Sequence, residues 1–250
     1  MSDRPETNRG AATLAVSGLR KRFGRKVAVD GISFRMAVSE VVGLLGPNGA
    51  GKTTAFFMIA GFIEPSEGSV LLGDRDITRL PMYRRARLGI AYLPQEPSVF
   101  RRLTVRQNVL AVLETRRMPR GQRHDLCDEL LAELGIEEVA DQKAHTLSGG
   151  ERRRTEIARS LASDPRFLLL DEPFAGIDPI AVHHLKEVVR SLAGKGIGIL
   201  LTDHNVRDAL EITDRSYIID GGHIIAEGSR EALLADPAAR SAYLGEEFRM

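Results

Sequence analysis

Tryptophan is absent and cysteine occurs once, as Cys127, in a chain of 250 residues. A single thiol can form no intrachain disulfide and cannot anchor a cysteine-based zinc site, which suits a reducing cytoplasm. No stretch approaches the ~20 consecutive apolar residues of a membrane helix, so if the protein works at a membrane, other subunits must span it. Met1 to Ala12 is polar, lacks the apolar segment of a secretory signal and reads as a disordered tail. Neither sign of charge is in excess: 35 Lys and Arg face 34 Asp and Glu, a net charge of +1. That excludes nucleic-acid binding through bulk charge, while a local basic patch stays open. What remains is ordinary for a globular protein, 43% hydrophobic and 28% charged, and long enough for a compact α/β unit with an inserted subdomain.

From Ile32 to Met36 apolar residues alternate with Ser33 and Arg35, which predicts a half-exposed strand, and Val41 to Leu45 reads as a buried one. Further β-rich runs lie at Ser69 to Leu72, Gly89 to Leu93, Phe167 to Leu170, Ile197 to Thr202 and Tyr217 to Ile219. Helix-like stretches separate several of them, so a mainly parallel sheet with covered faces is expected. Thr104 to Ala162 is rich in Leu, Ala, Glu and Arg at helical spacing and reads as a helical insertion. Gly221 and Gly222 suggest a hairpin turn, and Ser229 can cap a short final helix containing Ala232, Leu233 and Leu234.

Gly46-Pro47-Asn48-Gly49-Ala50-Gly51-Lys52-Thr53 fits the pattern G-x-x-x-x-G-K-[ST], after a buried strand and before a helix-like run from Thr54 to Ala60. Glycines let the backbone curl so that its N–H groups meet phosphate oxygens, and the helix N-terminus adds to the attraction. Lys52 would reach the β- and γ-phosphates and the Thr53 hydroxyl would ligate Mg²⁺. The glycines lack the G-x-G-x-x-G spacing of a dinucleotide site.

Phe167 to Leu170 is an apolar strand ending in Asp171 and Glu172, with Pro173 helping to stop it. Adjacent acids at the carboxyl end of a strand seldom serve packing. Asp171 can hold the magnesium shell and Glu172 can polarise the attacking water as general base. His204, just after another strand, could reach a γ-phosphate, and Gln95 could orient water or touch Mg²⁺. His124, His145, His183, His184 and His223 form no metal-ligand pattern and read as structural.

Leu147-Ser148-Gly149-Gly150-Glu151 opens a helix-like run, with Ser148 as N-cap. Its place shortly before Asp171 and Glu172 makes it resemble the signature of the ABC transporter ATPases, a resemblance covering nearly the whole chain from Leu14. That resemblance implies a RecA-like P-loop core with a mixed, mainly parallel sheet, an antiparallel β subdomain (13–94 and 165–228 with the core), a helical subdomain (104–162) and a C-terminal helical tail (229–250). It also implies ATP hydrolysis with Mg²⁺ held through Thr53, Gln95 and Asp171. Nucleotide would contact Phe23, which stacks on adenine, and Gly46 to Thr54. Catalysis would involve Glu172, His204, Gln95 and Lys52. The signature would act on ATP held by a second copy in a head-to-tail homodimer, with Asp178 in the D-loop segment Ala175-Gly176-Ile177-Asp178. The chain would sit at the cytoplasmic face of the inner membrane, attached through integral membrane subunits without inserting itself.

Tyr92 to Glu96, Val99 to Val105, Leu147 to Ala158 and the ending Tyr243 to Met250 are similar, more narrowly, to the ATPases of lipopolysaccharide-export transporters. In that reading Phe100, Arg101 and Arg102 line a groove that accepts a short helix of a membrane subunit. The alternative for Phe100 is packing beneath the helical insertion. Branched-chain amino acid importers share the core motifs and stay as an alternative. A soluble ABC ATPase outside transport fits less well, since neither a coiled-coil insertion nor a second cassette is present.

Overall fold

The alternation through Ile32 to Met36 belongs to a long antiparallel hairpin, β1 (Thr13–Phe23) and β2 (Lys26–Ala37), in a computed structural model that describes residues 13–240. Ile32, Phe34 and Met36 are buried while Ser33 and Arg35 face outward, as a period of two requires. The run Val41–Leu45 is β3, buried at every position, and a loop leads from it into α1 (Lys52–Ala60). β4 (Glu67–Leu72) and the short β5 (Arg75–Asp76) complete a four-stranded antiparallel sheet in the order β2-β1-β4-β5.

After α2 (Met82–Arg87) and β6 (Ile90–Leu93) the chain enters its helical stretch. There, α3 (Val105–Leu113), α4 (Arg120–Glu133), a 3-10 turn at Ala144–Thr146 and α5 (Gly149–Leu161) follow one another. Thr104 with Gln107 and Ser148 with Glu151 form reciprocal capping boxes, which fix where α3 and α5 start. The chain then alternates through β7 (Phe167–Asp171), α6 (Pro179–Gly194), β8 (Gly198–Thr202), α7 (Val206–Ile212) and β9 (Arg215–Asp220). β10 (His223–Gly228), α8 (Arg230–Ala235) and α9 (Pro237–Ala239) end the described residues. The Tyr243 to Met250 ending and the Met1 to Ala12 segment lie outside them.

The second sheet has the order β10-β9-β3-β8-β7-β6, with β9, β3, β8, β7 and β6 parallel and β10 antiparallel at the edge. Successive side chains of its central strands enter different cores. Leu168, Leu170, Ile199 and Leu201 join the core that contains Val109, Leu131, Ile157 and Leu185. Phe167, Leu169 and Leu200 join a second core with Phe56, Met58 and Ile59 of α1 and with the hairpin residues Ile32 and Phe34. Both faces are therefore dry, and fully burying each such side chain contributes about 1.5–3 kcal/mol. Parallel order also places the carboxyl ends of β6, β7, β8 and β3 along one sheet edge, where ligand sites of open α/β sheets form.

Arg85 is a charged residue inside this packing, with a side chain essentially inaccessible to solvent. Its guanidinium donates to the carbonyls of Met58 and Ile59 at 2.7 and 2.6 Å, Thr78 at 2.7 Å and Leu80 at 2.8 Å. Carbonyls at the C-terminal end of α1, which have no partner within the helix, are thus satisfied by a side chain 26 residues away. Burial draws the guanidinium pKa down to about 10.

Candidate functional site

The glycine-rich loop leaves β3 and turns into α1 at Gly51, whose φ of +109° belongs to glycine. A Cβ there would lie 2.5 Å from the Ala28 carbonyl oxygen, so close approach of the hairpin backbone imposes the same choice. Lys52 is buried and its ammonium donates to the Gly46 and Pro47 carbonyls at 2.7 and 2.9 Å. Burial lowers its pKa, against the carboxylates of Glu172, Asp171 and Asp203, which raise it. A cavity of about 410 Å³ opens over this loop, lined among others by Lys26, Val27, Asn48, Lys52, Thr53 and Glu172. Thr54 borders it too. Phe23, expected to stack on a base, is half exposed at the tip of the hairpin one turn before Lys26.

Alternation along β7 puts Asp171 on the α1 side, in register with Phe167 and Leu169. Its Oδ1 accepts from the Thr202 hydroxyl at 2.8 Å, and its Oδ2 accepts from the Tyr92 hydroxyl at 3.0 Å. Glu172 follows with φ of +45°, a left-handed conformation that is costly for a residue with a Cβ. Its N–H is held by the Thr202 carbonyl at 3.0 Å, and the N–H of Phe174 donates to Asp203. Glu172 Oε2 receives Gln95 Nε2 at 2.7 Å and lies 3.3 Å from His204 Nδ1. Residues 77 and 32 positions away are thereby gathered on one carboxylate oxygen. Asp203 is fully buried; burial raises its pKa, opposed by the N–H groups of Asn205 and Phe174.

At the start of α5, Glu151 accepts from the Ser148 N–H at 2.8 Å and hydroxyl at 2.7 Å, which holds its carboxyl below the ordinary range. Gly150 packs against α6 so closely that a Cβ would sit 2.7 Å from that of Ala181, a space only glycine leaves free. None of Leu147 to Glu151 lines the cavity over the glycine-rich loop; Gly149 borders a separate small pocket with Gln95, Ala175, Gly176 and Ile177. Asp178 caps α6 by accepting from the Ala181 N–H at 2.9 Å.

Several participants had no sequence signal. Arg153 stands in a run of three arginines that looks like a solvated face, yet it is buried, donating to the carbonyls of Pro94 at 2.7 Å and Asp171 at 3.1 Å and pairing with Glu156. Glu156 in turn accepts from the Ser98 N–H at 2.6 Å. One helix thus grips both the segment after Gln95 and the end of β7. Phe100 is 48% exposed, so its ring is not enclosed beneath the helical insertion. The guanidinium of Arg159 lies over that ring, 4.4 Å from the centroid, and Arg101 and Arg102 are exposed. Arg159 lines an apolar groove of about 520 Å³ with Phe57, Phe62, Met82, Ala86 and Tyr92; Phe100, Arg101 and Arg102 are not in its wall. His183, His184, His145 and His223 are exposed, and among the described residues no three metal-ligating side chains of the His, Cys, Asp and Glu type cluster.

A glycine-rich phosphate loop, a buried lysine, a strand-end acid pair and a histidine along the carboxyl edge of one parallel sheet define a P-loop nucleotide hydrolase. The family profile described as ABC transporter matches residues 29–175, and a profile described as branched-chain amino acid ATP-binding cassette transporter matches residues 223–249. The chain is 52% identical over 237 residues to the lipopolysaccharide export system ATP-binding protein LptB of Acidithiobacillus ferridurans, covering 95% of this chain and 98% of that one. Identity to the LptB of Escherichia coli strain K12 is 48%, covering 96% and 100%. Among solved structures, the ADP conformation of MJ1267, an ATP-binding cassette of an ABC transporter, superposes with a TM-score of 0.84 at 30% identity, covering 94% and 100%. The chain belongs to the ABC transporter ATPases, and it binds and hydrolyses ATP. No helix among the described residues is long and apolar enough to cross a membrane.

Proposed function

We propose that this chain is the motor of a lipopolysaccharide-export transporter, working as a homodimer at the cytoplasmic face of the inner membrane. The observation that carries the proposal is end-to-end identity of about half to LptB proteins from two organisms. A second reading, the ATPase of a branched-chain amino acid importer, draws on the profile matched at residues 223–249.

In this proposal the loop Gly46 to Thr54 holds the phosphates through its N–H groups, with Lys52 turning from the loop carbonyls to the β- and γ-oxygens, and Phe23 stacks on the adenine. Asp171, Thr53 and Gln95 offer only oxygen donors, the set a hard divalent cation prefers, so these residues fit magnesium. Bound there, magnesium would neutralise charge on the β- and γ-oxygens. Glu172 accepts a proton from the attacking water, Gln95 and His204 orient its carboxylate, and His204 contacts the γ-phosphate. Separation of the signature from the phosphate loop in one chain supports a site completed by Ser148 to Glu151, with Asp178, of a second copy. The apolar groove beside Phe100 and Arg159 supports docking of a short helix from a membrane subunit.

Gentle solubilisation of the membranes and identification of the proteins that co-purify with the chain test this. Membrane subunits of lipopolysaccharide export are expected, and depletion of the chain should leave lipopolysaccharide in the inner membrane. Recovery of amino acid permease subunits instead would establish the importer.

A further inference from the structure

Tyr92 belongs to two places at once. Its ring is part of the groove wall, 5.1 Å from the Phe62 ring and 6.1 Å from the Phe57 ring, both in edge-on geometry. Its hydroxyl donates to Asp171 Oδ2 at 3.0 Å. The register of the sheet explains the reach: Tyr92 lies opposite Leu169 in the parallel pair β6 and β7, and Asp171 is the next residue on the same face. With the Thr202 hydroxyl at 2.8 Å on Oδ1, each carboxylate oxygen has one side-chain donor. The plane of the carboxylate is fixed, and a lone pair remains on each oxygen for a cation.

Packing alone does not ask for tyrosine here. A phenylalanine would fill the aromatic cluster equally well, and a hydroxyl half-sunk in an apolar groove is costly unless it is paired. Tyr92 is also three residues before Gln95, which reaches Glu172, so any movement of the end of β6 is felt at both carboxylates.

We propose that Tyr92 is a positioning residue that ties the wall of the groove to Asp171, so that what occupies the groove sets how well the chain holds magnesium with its nucleotide. The part concerning the groove rests on its proposed role as the docking site of a membrane subunit; the part concerning Asp171 does not. A segment pressing on Phe62 and the Tyr92 ring moves the hydroxyl relative to Oδ2. Partners of this kind typically change metal affinity 10- to 100-fold when removed.

Tyr92→Phe tests it, built into Glu172→Gln so that binding is read without turnover. A fluorescent ATP analogue is titrated with and without magnesium, and melting is followed in parallel. Nucleotide binding without magnesium should match the parent, the half-saturating magnesium concentration should rise about 10-fold or more, and the melting temperature should hold to within a few degrees. Half-saturation within two-fold of the parent overturns the assignment. In the complete transporter carrying Tyr92→Phe alone, the membrane subunits should still co-purify, and at limiting magnesium their stimulation of hydrolysis should fall by the same factor. Unchanged stimulation there overturns the transmission from the groove. Ala86→Arg, which fills the groove from α2, distinguishes the two failures: if the membrane subunits still co-purify with it, the docking role of the groove is wrong and the transmission falls with it, while the magnesium titration of the isolated chain still decides the Asp171 part.

Discussion

Replacing Glu172 by glutamine removes a proton acceptor and little else. Loss of a general base typically costs 10²- to 10⁴-fold, or about 2.7–5.4 kcal/mol of barrier at 1.36 kcal/mol per decade. The upper part of that range is expected here, because the neighbouring carboxylate, Asp171, is held by Thr202 and Tyr92 and its remaining lone pairs are the ones proposed for magnesium. Stability should change little. Glutamine keeps the left-handed backbone, and its carbonyl can still accept from Gln95, so at most one hydrogen bond of about 1 kcal/mol is lost. For a chain of this size that is a fall of roughly 2–4 °C in melting temperature. Phosphate release measures turnover, a fluorescent ATP analogue measures binding, and calorimetry measures melting. Hydrolysis within ten-fold of the parent would remove Glu172 from the base role. A melting drop beyond about 10 °C would mean that the carboxylate holds the turn itself, not the water.

The Glu172→Gln protein should elute as a dimer with ATP and magnesium and chiefly as a monomer without nucleotide; adding Ser148→Arg should abolish that dimer, and a double mutant that still dimerises refutes the head-to-tail arrangement. Phe100→Ala should leave the isolated chain folded and hydrolysing ATP, since the ring is half exposed and rests on Arg159, yet weaken co-purification of the membrane subunits by about 2 kcal/mol; a sharp loss of stability would instead make it a packing residue. Arg85→Met should destabilise the chain by about 3 kcal/mol or more in urea, because four carbonyls lose their donor in a dry site, and a change below about 1 kcal/mol would mean that water reaches them.

Much of the site was legible locally. Short apolar runs at Val41–Leu45 and Phe167–Leu170 announce buried parallel strands, and the residues just after them have to appear at the carboxyl edge of the sheet. A lysine and threonine at the end of a glycine loop, and an acid pair at the end of a strand, carry their chemistry in the order of the residues. Ser148 and Glu151 cap α5 within four positions of chain. Such features depend on neighbours in sequence, whose distances the backbone geometry sets.

Charged residues that turned out to be buried were illegible for the converse reason. Arg85 lies in a six-residue helix with two exposed arginines, Arg84 and Arg87, and Arg153 in a triplet of arginines, so periodicity marks both as solvent-facing. What draws them inward is a set of carbonyls supplied by other elements, Met58 and Ile59 for Arg85 and Pro94 and Asp171 for Arg153, which also pairs with Glu156 of its own helix. The same holds for Tyr92, an unremarkable strand residue until β6 and β7 align and its hydroxyl meets Asp171. Which faces of the chain are dry follows from apolar spacing. Which polar groups can afford to be there depends on partners up to 79 residues away, and only the assembled sheet brings those within 3 Å.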